Sequence, residues 1–170
     1  GWGNYPKKNC KLVYPYIIKN KYKIFLNTNV SIPRGLGRSY GDSSISETVI
    51  KTDYLNKFIK FDYSKGIFEC LSGVSLHEIL ELIIPKGWFL EVSSGTKFIT
   101  IGGAIASDIH GKNHHNAGCF SNSVEIIKIM LASNDIITCS RELNSDLFYA
   151  TCGGMGLTEL ILEAKIQLKK

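Results

Sequence analysis

The segment that dominates this chain is GTKFITIGGAIASDIHGKNHH, which runs from Gly95 to His115. It joins a Gly-Thr turn, a diglycine at the start of a predicted helix, and a polar run with three histidines and a lysine. Glycine lets another group approach the backbone closely, and ionisable side chains bind charged or hydrogen-bonding groups. The segment therefore predicts a backbone shaped around an anionic, hydrogen-bonding ligand.

Length and composition exclude several classes of protein. The 170 residues suffice for one domain, or two small lobes, with its own core, and the hydrophobic fraction of 44% is typical of soluble globular proteins. No apolar run approaches the roughly 18 residues of a membrane span. Residues 1–8 lack a signal peptide's apolar core, and without an initiator Met the chain is either trimmed or a fragment. We expect a cytoplasmic protein, and peripheral association with a membrane stays open.

Charge and cysteines restrict the partners further. The net charge of +5 is spread along the sequence, whereas nucleic-acid binding needs a focused basic face, so no nucleic-acid partner is predicted. A mildly basic surface suits phosphate-bearing ligands. The five cysteines are odd in number and show no C-x-x-C pair, which favours free thiols in a reducing compartment.

Periodicity predicts the main helix. Apolar residues at i, i+3, i+4 and i+7 over 76–83 indicate an amphipathic helix. Ser75 and Glu78 form a capping box before it, and Gly87 ends it.

The remaining elements follow from local composition and period. Strands occur in hairpins and helices are interspersed irregularly, which is typical of an α+β fold rather than a doubly wound sheet. The predicted elements are a helix over 14–27, a helix over 101–106 capped by Thr100, a helical turn over 146–150, strands over 30–33 and 160–168, and hairpins that pair 58–61 with 66–71 and 124–132 with 136–139.

Two glycine-rich segments are candidate anion sites. The loop Arg34–Asp42 contains Gly-x-Gly-x-x-x-Gly after a strand, and N–H groups freed by glycine can surround phosphate oxygens. Its spacing matches neither the Rossmann nor the Walker motif, and a simple turn is the alternative. The second segment, Thr100–Gly103, would present unpaired N–H groups at a helix N-terminus, with tight helix packing as the alternative.

The histidines and a third glycine cluster complete the pattern. His110 and His114 are four residues apart, but Gly111 and Asn113 disfavour a helix and no third ligand is evident, so no metal site is predicted. We expect His110 to pack against a ring system, with His114 and His115 either near the ligand or in solvent. A third cluster, Gly153–Thr158, favours a large ligand gripped at several points, such as a dinucleotide.

Three stretches together resemble one known family: Pro33–Asp42, Gly102–His115 and Leu147–Thr158. They are similar to the FAD-binding domain of FAD-linked oxidases of the vanillyl-alcohol oxidase type (the PCMH fold), in the branch of decaprenylphosphoryl-β-D-ribose 2-oxidases. The resemblance spans nearly the whole chain. It implies an α+β fold of two lobes, a smaller one over about 1–55 and a larger one over about 56–170, with FAD between them.

The resemblance also implies the site residues. Lys112 would face the substrate and is the catalytic candidate. The residues expected to bind FAD are Pro33, Arg34, Gly35, Leu36, Gly37, Arg38, Ser39, Tyr40, Gly41, Asp42, Ser43, Gly95, Thr100, Ile101, Gly102, Gly103, Ser107, Asp108, Ile109, His110 and Ile161.

Two departures from the family pattern refine the expectation. Relatives in the wider superfamily attach FAD covalently through a histidine of the first glycine loop; Arg38 stands there, so noncovalent FAD is expected. Family members run to well over twice this length, so we expect the C-terminal substrate domain, with a lysine and a cysteine that this branch uses near the substrate, to be absent from this chain.

The implied activity is oxidation of a sugar CH–OH group. Hydride leaves a ring C2–H and a proton leaves its hydroxyl, which gives a 2-keto sugar. The implied substrate is a polyprenyl-phosphate sugar, and a partner keto-reductase would complete epimerisation to arabinose. The alternatives are an aldonolactone oxidase of the same fold, an FAD-binding fragment without turnover, and a nucleotide-binding regulatory module without flavin.

Overall fold

The described residues form two main sheets and a small hairpin. The computed structural model describes residues 1–18, 21–24 and 30–170. The strands in chain order are β1 (Lys11–Val13), β2 (Tyr16–Ile18), β3 (Lys21–Lys23), β4 (Ser31–Arg34), β5 (Thr48–Lys51), β6 (Phe58–Asp62), β7 (Ile67–Leu71), β8 (Phe89–Leu90), β9 (Val124–Met130), β10 (Ile136–Cys139) and β11 (Leu160–Lys169). The helices are α1 (Leu76–Ile83), α2 (Ile101–Ala106), α3 (His114–Ala117) and α4 (Ser145–Thr151), with 3-10 turns at Ile84–Lys86 and Phe120–Ser123.

The helix predicted over 14–27 is wrong within the described residues. β2 and β3 pair antiparallel there, with Tyr16 opposite Lys23. The Tyr22 hydroxyl donates a hydrogen bond to the carboxylate of Glu163, on β11. This long-range contact favours an extended conformation over the local helical pattern. The rest of the predicted helix, residues 19, 20 and 25–27, lies outside the described residues.

The small sheet has the strand order β1-β5-β4, and both strand pairs are parallel. A parallel pair cannot be joined by a tight turn and needs a crossover connection. Residues 35–47 make that connection between β4 and β5, so the first glycine loop begins directly at the carboxyl end of β4. The strand predicted over 30–33 is confirmed as β4, whereas β1 and β5 were not predicted.

The large sheet is antiparallel, with the order β10-β9-β11-β7-β6 and β8 paired to β11. Both predicted hairpins are confirmed as β6–β7 and β9–β10. The strand predicted over 160–168 is β11, which lies between β9 and β7. Its central position explains why its apolar side chains are buried.

Helix α1 begins at the predicted capping box. The Ser75 hydroxyl accepts from the N–H of Glu78, and the Glu78 carboxylate accepts from the N–H of Ser75 at 2.8 Å. The helix passes into the 3-10 turn and stops at Gly87, whose φ of 77° lies in the left-handed region that glycine adopts without strain. Two of the shorter predicted helices are also found, as α2, with Thr100 as its N-cap, and as α4.

Two apolar clusters hold the molecule together. The larger lies between the large sheet and helices α1, α2 and α4, and includes the fully buried Phe68, Phe120 and Phe148. The smaller joins the two sheets, because Ile50 and Leu55 pack with Leu71, Met130 and Leu162. The α+β prediction is confirmed, and the division into lobes at about residue 55 stays a prediction.

None of the helices in the described ranges has the length and apolar character needed to cross a bilayer.

Candidate functional site

A cleft of about 680 Å³ lies where the loop after β4 faces helix α2. This volume falls within the range of about 300–1,000 Å³ common for small-molecule sites. Most of the predicted binding residues line the cleft: Pro33, Arg34, Gly35, Leu36, Gly37, Arg38, Ser39, Tyr40, Ser43, Gly95, Thr100, Gly102, Gly103, Ser107, Ile109, His110 and Ile161. The tertiary structure thus brings the two glycine segments of the sequence to one site.

The loop after β4 offers a run of free backbone donors. Among the residues that the structure describes, no acceptor is found for the N–H groups from Gly35 to Gly41. The Arg34 guanidinium lies under this loop and donates to the Ser44 hydroxyl at 3.0 Å. Gly37 has a φ of 67°, and a Cβ there would lie 2.3 Å from the Arg34 Nη2 atom. The loop is therefore folded around its own cation, an arrangement suited to an anionic ligand.

The loop also touches the start of α2. A Cβ on Gly35 would lie 2.3 Å from the Thr100 Oγ1 atom, so only glycine permits this approach. The Thr100 hydroxyl in turn accepts from the N–H of Gly103 at 3.1 Å and caps α2. Gly35 and Thr100 are therefore in close contact, and they join the two glycine segments.

The N-terminus of α2 is not the free donor set that the sequence predicted. The N–H of Ile101 donates to Val74 O at 2.8 Å and that of Gly102 to Ser72 O at 2.9 Å. The N–H of Gly103 is used by Thr100, so none of these three groups is free for a ligand. The alternative of tight packing explains Gly102, because a Cβ there would lie 2.9 Å from the Ser72 Cβ atom.

The residues of α2 divide between the core and the cleft. Ile101, Ala104 and Ile105 are buried, whereas Gly102 and Gly103 line the cleft. Ile101 is a predicted binding residue, but its buried side chain and paired N–H do not line the cleft.

The segment after α2 turns sharply and leaves the cleft. Asp108 adopts a φ of 39°, and its carboxylate accepts from the N–H and the hydroxyl of Ser121, at 2.8 and 3.0 Å. The Asp108 carboxylate therefore stabilises this turn instead of binding a ligand. Gly41, Asp42, Asp108 and Lys112 are predicted site residues that do not line the cleft, and Lys112 is exposed to solvent.

The histidines lie close together at the edge of the cleft. His110 lines it, with its ring centroid 5.6 Å from that of His114, which lies 3.9 Å from that of His115. In the described part of the chain, no three His, Cys, Asp or Glu side chains are grouped so that they could hold a metal ion.

The third glycine cluster packs against the end of α2. The N–H of Gly153 donates to Ile105 O at 3.0 Å, and that of Met155 to Ala106 O at 2.7 Å. Gly156 has a φ of 75°, and a Cβ there would lie 3.7 Å from the Pro33 Cδ atom. Met155 and Gly156 both line the cleft, so the cluster closes its third side.

Several residues outside the predicted binding set also line the cleft, among them Trp2, Ser72 and Glu159. Trp2 is bound to the glycine loop, since its N–H donates to Ser39 O at 2.8 Å and the Arg38 guanidinium lies 5.4 Å from its ring. Ser72 is 1% exposed, and its Oγ has no hydrogen-bond partner among the described residues. Burial raises the pKa of the Glu159 carboxyl, while a hydrogen bond from the Ala132 N–H lowers it. Only the tertiary structure brings these three residues to the cleft.

Comparison with known proteins identifies the kind of cleft. The family described as "FAD binding domain" matches residues 23–140. Decaprenylphosphoryl-beta-D-ribose oxidase of Mycolicibacterium smegmatis is 42% identical over 144 residues, which cover 81% of this chain and 30% of that protein.

Two further relatives carry other names. A putative D-arabinono-1,4-lactone oxidase of Neurospora crassa is 28% identical over 130 residues, 76% of this chain and 23% of that protein. Cytokinin dehydrogenase 2 of Arabidopsis thaliana is 30% identical over 139 residues, 79% of this chain and 27% of that protein. The chain thus spans less than a third of the length of each of these three relatives.

Proposed function

The chain belongs to the FAD-binding domain family, and from this premise we propose that it is the FAD-binding part of an oxidoreductase that oxidises a sugar CH–OH group. The observation that carries the proposal is the cleft, where free N–H groups and two arginines meet a capped helix. When bound, FAD supplies a two-electron oxidant for the CH–OH group. The protein contributes binding, orientation and exclusion of water.

The residues in the cleft fit a flavin dinucleotide. The N–H groups from Gly35 to Tyr40, together with Arg34 and Arg38, provide donors and positive charge for the diphosphate. The Ser72 hydroxyl, which has no hydrogen-bond partner among the described residues, offers a further polar group beside Gly102 of α2. Because the α2 N–H groups are already used, the diphosphate belongs at the loop, and α2 contributes mainly close approach through Gly103.

We further propose that FAD is held without a covalent bond. No histidine stands in the loop from Pro33 to Ser43, where Arg38 occupies the position expected of a covalent attachment. The guanidinium of Arg38 is not a nucleophile at physiological pH, since it stays protonated.

The substrate would be a polyprenyl-phosphate sugar or a related sugar, oxidised to a keto sugar. The name of the relative from Mycolicibacterium smegmatis supports this class. His110 at the edge of the cleft and the exposed Lys112 two residues later would face that substrate. Because the chain spans 30% of that relative, we assign the remaining substrate contacts to a segment outside these residues, and a keto-reductase partner stays part of the proposal.

The lobes form a second part of the proposal. A smaller lobe over about 1–55 would carry the glycine loop, and a larger lobe over about 56–170 would carry α2 and the large sheet. The cleft lies between these parts, which supports a cofactor held where they meet.

An aldonolactone oxidase is the second candidate function. The name of the Neurospora crassa relative favours it, at a lower identity of 28%. Both candidates use the same FAD cleft and differ in the substrate, so the test of cofactor binding applies to both.

Reconstitution with FAD tests the proposal directly. The purified chain is mixed with FAD, passed over a desalting column, and its visible spectrum is recorded before and after acid precipitation. We expect a yellow protein that releases its flavin into the acid supernatant. A colourless protein would refute the flavin function, whereas colour retained in the pellet would refute noncovalent binding.

A further inference from the structure

The carboxylate of Glu159 is the one acidic side chain among the described residues that line the cleft. The same lining contains two arginines, Arg34 and Arg38. Glu159 is partly buried, and no described lysine, arginine or histidine forms an ion pair with it. A partly buried carboxylate without a cation has a cost unless other groups donate to it.

The protein satisfies this carboxylate only in part. A hydrogen bond from the Ala132 N–H lowers the pKa of Glu159, but burial has the larger effect and raises it. An ionised carboxylate can accept at about four lone-pair positions. The Glu159 carboxylate can therefore accept further hydrogen bonds from donor groups of a ligand.

Charge decides which part of a flavin dinucleotide can lie beside Glu159. A carboxylate repels phosphate oxygens, so the diphosphate lies at the loop with Arg34 and Arg38. The neutral parts of the cofactor carry the hydroxyl groups that a carboxylate accepts from. An acidic side chain paired with ribose hydroxyls is the arrangement found in Rossmann dinucleotide sites.

The surroundings of Glu159 favour the nucleoside end of the ligand. Glu159 directly precedes Leu160 and Ile161, two apolar residues of the cleft. A second hollow of about 510 Å³ opens beside it and shares with the cleft Pro33, Gly156, Glu159 and Leu160. Its other described lining residues combine the apolar Ile50, Met130 and Leu131 with the polar Ser31, Asn134 and Thr158, a mixed surface that offers a base both apolar contact and hydrogen-bonding groups.

We propose, on the basis of the function proposed above, that the Glu159 carboxylate accepts hydrogen bonds from the ribose hydroxyls of the adenosine half of FAD. Glu159 is then a specificity-determining residue that favours a free ribose over a phosphorylated one. It distinguishes FAD from FMN, which has no adenosine half.

The test compares two flavins on matched variants. The chain and its Glu159→Ala, Glu159→Gln and Glu142→Ala variants are titrated with FAD and with FMN, and binding is followed by flavin fluorescence. Glu142 is an exposed glutamate outside the cleft and controls for loss of charge. We expect Glu159→Ala to weaken FAD binding roughly tenfold to a hundredfold, as for hydrogen bonds to a charged acceptor, and to leave FMN binding unchanged. Glu159→Gln should weaken FAD binding less, because its amide oxygen still accepts a hydrogen bond.

Nucleotides without flavin give a second measurement on the same variants. ADP and 2′-deoxy-ADP are titrated by calorimetry. The original chain should bind ADP more tightly than the deoxy form, and Glu159→Ala should reduce that difference. Equal losses for FAD and FMN, unchanged FAD binding in Glu159→Ala, or an ADP preference that the variant keeps would each overturn the role of Glu159. A parent chain that binds no FAD would instead refute the proposed function itself.

Discussion

Gly35 and Gly95 both line the cleft, but only Gly35 stands against another side chain. A Cβ on Gly35 would lie 2.3 Å from Thr100 Oγ1 and 2.9 Å from its Cγ2, whereas a Cβ on Gly95 would meet nothing within 4 Å. Thr100 is β-branched and caps α2, so it cannot rotate away without losing its hydrogen bond to Gly103.

Gly35→Ala should therefore lower the free energy of unfolding by about 1–2 kcal/mol, the range of a lost cap or an overpacked contact. It should also weaken FAD binding, because the loop moves away from α2. Gly95→Ala is the matched control and should change stability by less than about 0.5 kcal/mol. Urea denaturation of both variants measures the difference, and equal stability would contradict the assigned contact.

A substitution at Gly103 should affect FAD binding without affecting the fold. A Cβ there meets only Thr100 Oγ1, at 3.1 Å, and otherwise points toward the cleft. Gly103→Val should keep the circular dichroism spectrum of the parent chain and weaken FAD binding by more than about tenfold, since the branched side chain occupies ligand space. Gly102→Ala provides the contrast, because its Cβ would meet the backbone O of Ser72 at 3.0 Å and should destabilise the fold. Normal FAD uptake by Gly103→Val would refute the placement of the cofactor.

At the scale of elements, the turn between β6 and β7 contains a pH-dependent contribution to stability. The Asp62 carboxylate accepts from the Ser64 hydroxyl at 2.6 Å and from the N–H groups of Ser64 and Lys65, each at 3.1 Å. The Ser64 hydroxyl is the main cause that lowers the pKa of Asp62. A pKa lowered by folding stabilises the protein above the unfolded value of about 3.9, and this stabilisation is lost as the pH falls through the folded pKa.

Asp62→Asn should therefore destabilise the chain at pH 7 and have a smaller effect near pH 3. Urea midpoints of parent and variant at both pH values measure the change. Ser64→Ala should reproduce part of the effect, because it removes the main donor. A destabilisation of equal size at both pH values would show that the charge of Asp62 has no role in the turn.

Helix α2 shows how one element can serve two purposes. Its buried face, with Ile101 and Ile105, anchors it in the core, while Gly102 and Gly103 face Ser72 and the cleft. Glycine lowers helix stability by about 1 kcal/mol relative to alanine, so a short helix with two glycines depends on tertiary contacts. The carbonyl groups of Val74 and Ser72 supply those contacts and use the N–H groups that a ligand would otherwise bind.

At the scale of the whole molecule, burial sets the reactivity of the thiols. Burial, with a smaller contribution from Asp108, raises the pKa of Cys152 to about 11. Cys70 and Cys139 are fully buried, and burial raises the pKa of both, whereas Cys10 is exposed. Since the thiolate is the reactive form, the fold leaves Cys10 as the most exposed nucleophile of the five, with Cys119 and Cys152 partly buried.

At pH 8, iodoacetamide should modify Cys10 well before Cys152, and the rate at Cys152 should rise as the pH increases toward 11. Peptide mass mapping of timed samples measures the order of labelling. In urea, where burial is lost, all five cysteines should react at similar rates. Labelling of Cys152 as fast as Cys10 in the native chain would contradict the packing of α4 against the core.

Much of the architecture could be predicted from the sequence because it rests on local patterns. The capping box of Ser75 and Glu78, the alternation along β11 and the two hairpins are each set by residues within a few positions of one another. The motif Arg34–Asp42 likewise indicated an anion loop, and the resemblance identified the FAD-binding family that the comparison confirmed. The helix predicted over 14–27 was wrong because a distant residue, Glu163, binds Tyr22 in an extended hairpin.

The sequence by itself determined which residue types were available for a dinucleotide: the glycines, the arginines and the capping threonine. Only the tertiary structure decided which of their backbone groups remain free. It used the donors of α2 in contacts with the segment after β7 and left those from Gly35 to Gly41 open. It also brought Trp2, Ser72 and Glu159 to the same cleft from distant parts of the chain. The physical reason is that a hydrogen-bond donor is free or paired according to what packs against it, and such partners are far apart in sequence.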